Sequence, residues 1–390
     1  MLTSEQGSVG INAHLLAGEA GYRQAGIHQY IAQVLHNLPR EERQLRYTIF
    51  TQQDHHLGRS DLQTISSRWP TERRLARIGW EQLVWPWLAR RYDLDLLHSM
   101  AFVTPFVVPC PTVVTVYDLS FKHYPESFPR GQRWYLQSQT ARSVRQARRV
   151  IAISESGRRD VHRFFGVPLD QIDVVYPGVG DEFRPLGKTA VQQFRQQKGL
   201  PERFILHVGT LQPRKNIPIL LEALARIRQL NMPLVLVGGK GWMFEEIFAR
   251  VEKLGLREHV IFTGYVPAEE LPLWYNAASL LVFPSLYEGF GMPIVEAMAC
   301  GTLVVAAATS SIPEAIGEAG LLFDQQNAET LVKCLTAVLQ NPDLARTLRE
   351  AGLEQVQKFS WEQAGKQTAE TYLRALGFSY ESGTERESCE

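Results

Sequence analysis

The chain has 390 residues, 45% of them hydrophobic, with 41 Lys and Arg balancing 41 Asp and Glu. This is the composition of a globular protein long enough for two or three domains, and the absence of any long basic run interleaved with aromatics argues against a nucleic-acid partner. Four scattered cysteines without a C-x-x-C pair argue against a disulfide framework or zinc site, and no window approaches the ~20 apolar residues of a membrane-spanning helix.

Residues 8–12 read as a first strand. A loop rich in Gly and Ala follows, then an amphipathic helix from Ile27 to Leu38 and a strand over Tyr47–Thr51. The stretch from Glu72 to Tyr92 has helical periodicity, with Pro86 predicting a kink or a break. Its tryptophans Trp80, Trp85 and Trp87 could form an interfacial membrane helix, but packing against the first sheet is the stronger reading. The apolar runs 94–99, 111–119 and 148–154 read as strands, with 172–179 as the last of this half. The pattern restarts after Gly187. Strands are predicted at 204–210, 233–239, 259–266, 279–285 and 302–308, with a helix over 216–230 and other helical stretches between them. Strands alternating with helices imply parallel βαβ units, here in two successive sets.

The run PSLYEGFGMPIVEAMACGTLVV, Pro284 to Val305, holds the clearest chemistry. Glu288 and Glu296 stand at opposite ends of a glycine-broken turn that opens a helix. Gly289 and Gly291 allow positive φ and a close backbone approach, and Pro293 suits a first helical position. A helix N-terminus favours a phosphate, and ionised glutamates accept hydrogen bonds from hydroxyls. Phosphate with hydroxyls describes a sugar nucleotide. On spacing alone the plain alternative is a strand-to-helix turn with a dipole-partnering Glu.

The same run resembles the signature of retaining glycosyltransferase family four. So, in order, do VTVYDLSFKHYPESF (114–128), VIAISESGRRDV (150–161) and HVGTLQPRKNIPILLEAL (207–224). The resemblance implies the α/β GT-B fold, two doubly wound Rossmann-like domains facing each other across a cleft. Residues 1–185 would form the acceptor domain, joined by a returning helix over 361–378. Residues 186–360 would bind the nucleotide sugar, and the polar segment 379–390 would be a disordered tail. Glu288 is expected at the donor sugar and Glu296 at the ribose. The amides of Gly289, Phe290, Gly291 and Met292 would line sugar and phosphate. Arg214 and Lys215, beside Gly209 and Thr210, would neutralise the diphosphate. Tyr265 and Val266 fall where the family touches the base. Gly26 falls in its glycine loop, although this copy is glycine-poor, and neighbouring His28 reads as structural. Tyr117 stands where the family usually has His, followed by Asp118; both are expected to position sugar, the alternative being that Tyr117 caps a strand end.

The implied function is metal-independent, retaining transfer of a hexose from a nucleotide-diphosphate sugar, with no cofactor, to a saccharide or lipid-linked acceptor. GDP-mannose is the favoured donor, and the resemblance leans toward mannosyltransferases of bacterial surface-polysaccharide synthesis. A catalytically inactive sugar-nucleotide-binding assembly protein, or another GT-B enzyme such as an epimerase, is the alternative; no phosphorylase signature occurs. A cytoplasmic location is expected, since no leader opens the chain. Residues 1–180 hold 21 Lys and Arg against 16 Asp and Glu. That excess leaves room for peripheral contact at the inner face of the membrane, with an ordinary solvated face the plainer reading. Two motifs are decoys on this reading. Asp93-Leu94-Asp95 spells D-x-D but enters a buried strand, and Val237–Gly241 lacks the full dinucleotide spacing.

Overall fold

A computed structural model describes residues 6–16, 25–40, 44–52, 58–71 and 73–378. The tail at 379–390 and the loop over 17–24 lie outside these. The chain divides into two compact units: one holds the residues up to Ile153, Gly157–Val175 and the chain from Glu362; the other holds Ser154–Ser156 and Tyr176–Trp361.

The first unit contains a parallel sheet built from β1 (Gly7–Asn12), β2 (Leu45–Gln52), β3 (Gln63–Ser67), β4 (Leu96–Ser99), β5 (Thr112–Val116), β6 (Arg149–Ala152) and β7 (Ile172–Val174). Their order is β3-β2-β1-β4-β5-β6-β7, so the winding reverses between β1 and β4. Central strands such as β1, β4 and β5 are buried along their whole length, because helices cover both faces of a parallel sheet. Helix Ala25–His36 packs through Tyr30, Ile31, Val34 and Leu35, an apolar stripe of helical period. The C-terminal helix Trp361–Leu376 packs in this unit. Its Tyr372 hydroxyl lies 2.6 Å from His98 Nδ1 on β4, and Arg374 pairs with Asp173 at 3.1 Å.

Pro86 produces neither a break nor a sharp stop. Helices Arg74–Gly79 and Trp85–Arg91 are joined by a π-turn over Trp80–Val84, in which Trp85 N–H donates to Trp80 O five residues back. The wider turn accommodates a residue that has no N–H to give. Trp80 and Trp85 stack at 6.1 Å in a core with Phe50, Ala89, Leu94 and Leu97. Trp87, expected with them, is exposed instead. The D-x-D motif is structural in part: Asp95 accepts from Ser8 N through its carboxylate and donates its own N–H to Ser8 O, tying β4 to β1.

The second unit holds β8 (Ile205–Val208), β9 (Leu234–Val237), β10 (Val260–Gly264), β11 (Leu280–Phe283), β12 (Leu303–Ala307) and β13 (Leu321–Phe323). All pairs are parallel, in the order β10-β9-β8-β11-β12-β13, with the reversal between β8 and β11. The edge strands β3 and β13 were not among the predicted strands. One is polar and half-exposed and the other has three residues, so neither shows a burial pattern of its own. The Val237–Gly241 loop has a packing role. A Cβ on Gly238 would stand 2.0 Å from the Gly209 carbonyl oxygen, and Leu211 N–H donates to Gly239 O, which extends the β8–β9 pairing into both loops.

Candidate functional site

Ligands in doubly wound sheets bind outside the carboxyl ends of strands, where the winding reverses. In the second unit this place lies beyond β8 and β11. From β8 the chain runs through Gly209 and Thr210 into a tight turn, Pro213–Lys215, and then into helix Ile217–Arg226. From β11 it runs through residues 284–291 into helix Met292–Ala299. The two loops are tied where Leu286 N–H donates to Arg214 O at 2.9 Å.

This tie brings three charged side chains together. Lys215 Nζ lies 2.6 Å from Glu288 Oε1, and Arg214 Nη1 lies 2.9 Å from Glu288 Oε2. Arg214 also donates to the Tyr287 carbonyl. Lys215 is nearly buried, with its ammonium 5.1 Å from the centre of the Phe283 ring. Burial alone would raise the Glu288 pKa, but the charges of Arg214 and Lys215 outweigh it and hold the carboxyl down at about 2. Glu288 is therefore ionised and carries two charge-assisted contacts. Gly209 adjoins the same group, since a Cβ there would be 3.3 Å from Lys215 Cε.

The loop carrying Glu288 is held by hydroxyls that sequence reading did not single out. After β12, Thr309 donates to Leu286 O, Ser310 Oγ accepts from Glu288 N–H, and fully buried Ser311 donates to both Glu288 O and Phe290 O at 2.9 and 3.0 Å. A run of hydroxyl residues at the carboxyl end of a buried strand was the available signal. The Phe290 ring packs against Tyr176 and Phe359. Gly291 then takes φ 112°, a left-handed value suited to glycine, and caps the helix that begins at Met292.

The other expected positions are less tightly gathered. Glu296 is buried on that helix, and its Oε2 accepts from the Tyr275 hydroxyl at 2.7 Å. Desolvation pushes its carboxyl up to about 7, opposed by the Tyr275 hydrogen bond and assisted by the charge of Glu182. Tyr265 and Val266 follow β10, two strands from β8; Tyr265 is exposed and Val266 nearly buried. In the first unit, the buried Tyr117 donates to Met100 O at 2.7 Å, and its ring meets Tyr30 and Phe102 edge-on. Asp118 accepts from Ser120 N–H, fixing the turn after β5. Gly26 is exposed in the first turn of its helix, and nothing lies within 4 Å of where a Cβ would stand. No cluster of three or more His, Cys, Asp or Glu arranged to hold a metal occurs among the described residues.

Two family models divide the chain between them: Glycosyltransferase Family 4 over residues 25–183 and Glycosyl transferases group 1 over 190–355. The O-antigen chain mannosyltransferase B of Escherichia coli is 33% identical over 73% of this chain and 76% of its own length. The chain belongs to glycosyltransferase family 4. This glycosyltransferase is also 30% identical to the serotype-specific mannosyltransferase WbdA of Escherichia coli over 70% of its own chain, while spanning only 35% of that longer protein. In fold, the transferase matches sucrose-phosphate synthase from Thermosynechococcus elongatus with a TM-score of 0.73. That match has 24% identity and covers 95% of this chain and all of the other. The architecture of the transferase is therefore GT-B, with a doubly wound parallel sheet in each unit.

Proposed function

We propose that the protein moves mannose, with retention at the anomeric carbon and without a metal, from a nucleotide-diphosphate sugar to a saccharide or lipid-linked acceptor. The observation that carries this reading is the placement of Arg214 and Lys215 on either side of Glu288, beyond β8 and β11. Breaking the bond between the anomeric carbon and a diphosphate puts negative charge on the leaving oxygen and positive charge on the sugar ring. Two cations would meet the first, with the amides of Gly291 and Met292 at the helix start beside them. The Glu288 carboxylate would meet the sugar hydroxyls and the charge growing on the ring. The same carboxylate offsets one of the two positive charges that face it.

Glu296 would receive the ribose hydroxyls, and Tyr265 with Val266 would lie against the base. Tyr117, with its hydroxyl committed to Met100 O, would act through the shape of the strand end and not as a base. The proton of the acceptor would then pass to the departing phosphate oxygen. Mannose is favoured because the relatives named above are mannosyltransferases, and GDP as the carrier follows from the sequence resemblance alone. The first unit would hold the acceptor, and the product would belong to a cell-surface polysaccharide.

The test combines GDP-mannose, UDP-sugars and ADP-sugars with mannan oligosaccharide acceptors, with and without EDTA. Transfer from GDP-mannose in EDTA, giving an α-linked product by NMR, is the expected result. Donor binding without product across the acceptor panel would favour a sugar-nucleotide-binding assembly role. Activity that disappears in EDTA and returns with manganese would overturn the metal-independent mechanism.

A further inference from the structure

The segment that carries Arg214 and Lys215 begins with a histidine that has no part in the chemistry above. His207 lies on β8, two residues before Gly209, and none of it reaches the surface. Its neighbours Ile205, Leu206 and Val208 are apolar, as a strand buried on both faces requires. An imidazole in such a strand needs partners for both nitrogens.

One nitrogen has a partner and the other does not. Nδ1 lies 3.1 Å from the Val282 carbonyl oxygen on neighbouring β11. A carbonyl only accepts, so Nδ1 carries the hydrogen. Burial holds the ring pKa down at about 4 against the Val282 hydrogen bond, and the charge of Lys215 adds to the lowering. The ring is therefore neutral near neutral pH, and Nε2 presents a bare lone pair. That lone pair has no hydrogen-bond partner among the described residues. Leaving a buried acceptor unmade costs stability, which an apolar residue at this position of the strand would not incur.

The lone pair sits beside Lys215. A Cβ on Gly209 would stand 3.4 Å from His207 Nε2 and 3.3 Å from Lys215 Cε, so one methyl group there would touch both. Both groups also share Phe283. The imidazole stacks on that ring with centroids 6.4 Å apart, and the ammonium lies 5.1 Å from its centre. Lys215 meets Glu288 Oε1 at 2.6 Å. A donor whose hydroxyls engage Glu288 and whose diphosphate engages Lys215 would draw the two side chains apart. A lysine is a point charge on a flexible stem, with three hydrogens to place and no fixed direction of its own.

We propose that, given the role of Lys215 in the proposed function, His207 is its positioning residue: Nε2 accepts one ammonium hydrogen as the diphosphate draws Lys215 from Glu288, and so fixes where that charge stands. The neutral ring adds no charge of its own, so its effect falls on turnover more than on donor affinity.

The test compares His207→Asn with His207→Gln. The Asn amide can keep the bond to Val282 O but places nothing at Nε2. The Gln amide reaches the Nε2 position and leaves Val282 O without its donor. His207→Asn is expected to lower kcat about tenfold with an unchanged donor KM and melting temperature, the scale of a slightly misplaced catalytic charge. His207→Gln is expected to melt lower and yet keep more of kcat. In protein carrying isotope-labelled histidine, the Nε2 resonance of His207 is assigned by its loss in His207→Asn. It is expected to move toward that of a hydrogen-bonded nitrogen when GDP, UDP or ADP binds, and not to move in Lys215→Ala. Wild-type kcat in His207→Asn beside a depressed rate in Lys215→Ala would overturn this role alone, and wild-type rates in both would overturn it together with the role of Lys215. So would a kcat that follows the melting temperature across the two His207 variants. An Nε2 resonance that stays at the bare position with nucleotide bound would overturn it however the variants fold.

Discussion

Lys215 Nζ stands 2.6 Å from Glu288 Oε1, and the two residues belong to loops leaving β8 and β11, the strands between which the winding reverses. Neither loop holds its charged group alone. Glu288 stays ionised in a buried setting because two cations face it, and those cations tolerate burial because Glu288 lies between them.

Removing the carboxylate should therefore do more than delete one contact. Glu288→Ala is expected to lower kcat/KM by about a hundredfold or more, the scale of losing a charged group that stabilises a transition state. Lys215→Ala should raise the donor KM and lower kcat together, because on the proposed function diphosphate binding and leaving-group stabilisation would use the same charge. Steady-state kinetics at saturating acceptor would check both, and wild-type rates in either variant would remove the site assignment.

Ser311 predicts a subtler effect. Its hydroxyl donates to the carbonyls of Glu288 and Phe290, which fixes the peptide between them. Ser311→Ala should cost about 1–3 kcal/mol through the buried carbonyls it strands. The kinetic loss should appear mainly in kcat, since the cations proposed to hold the diphosphate are untouched. Ser311→Thr should recover part of it. Equal changes in kcat and thermal stability, with no rescue, would indicate a purely structural role.

The two glutamates should titrate in opposite directions. Glu288 has a folded pKa of about 2 against an ordinary 4.5, so its stabilising contribution is complete above about pH 4.5 and is lost as pH falls toward 2. Glu296 has a folded pKa of about 7 against 4.5, so its contribution is complete below about pH 4.5 and is lost as pH rises through 7. Glu296→Gln should accordingly flatten the melting profile between pH 4.5 and 7, followed calorimetrically, and leave the acid limb in place.

The raised Glu296 pKa has a signature in ligand binding as well. Ribose hydroxyls would donate to the ionised carboxylate, so donor binding near pH 6.5 should release a fraction of a proton. Titration calorimetry in buffers of different ionisation enthalpy would detect it. The release should vanish in Glu296→Gln. Its persistence there would assign the proton to another group.

Gly238 offers a test of packing alone. A Cβ on this residue would stand 2.0 Å from the Gly209 carbonyl, at the base of the loop that carries Arg214 and Lys215. Gly238→Ala should destabilise the second unit by about 1–3 kcal/mol or more, as overpacking does, and displace the loop. A lowered melting temperature with weakened donor binding is the expected pair of outcomes, and an unchanged melt would contradict the close approach.

Much of this was legible before any coordinates. Apolar runs separated by Gly, Pro and polar turns located most strands, because a strand buried on both faces of a parallel sheet must be apolar throughout. The edge strands β3 and β13 escaped because half-exposed or very short strands carry no such constraint. Arg214, Lys215 and Glu288 were nameable from their motifs. Their mutual contact was not, since a separation of about 73 residues is closed only by pairing β8 with β11. The hydroxyls of Thr309, Ser310 and Ser311 were passed over because the residues they hold lie more than twenty positions upstream.

The chain's local chemistry determined its two sets of βαβ units, its family and the identity of its charged loops, because periodicity, glycine placement and short motifs act over a few residues at a time. Only the tertiary structure decided which groups meet. It turned Trp80 and Trp85 inward while leaving Trp87 at the surface, gave the Tyr117 hydroxyl to Met100, and placed Glu296 beside Tyr275. Those outcomes depend on strand order and helix rotation, which bring distant segments into contact and leave no mark in either segment alone.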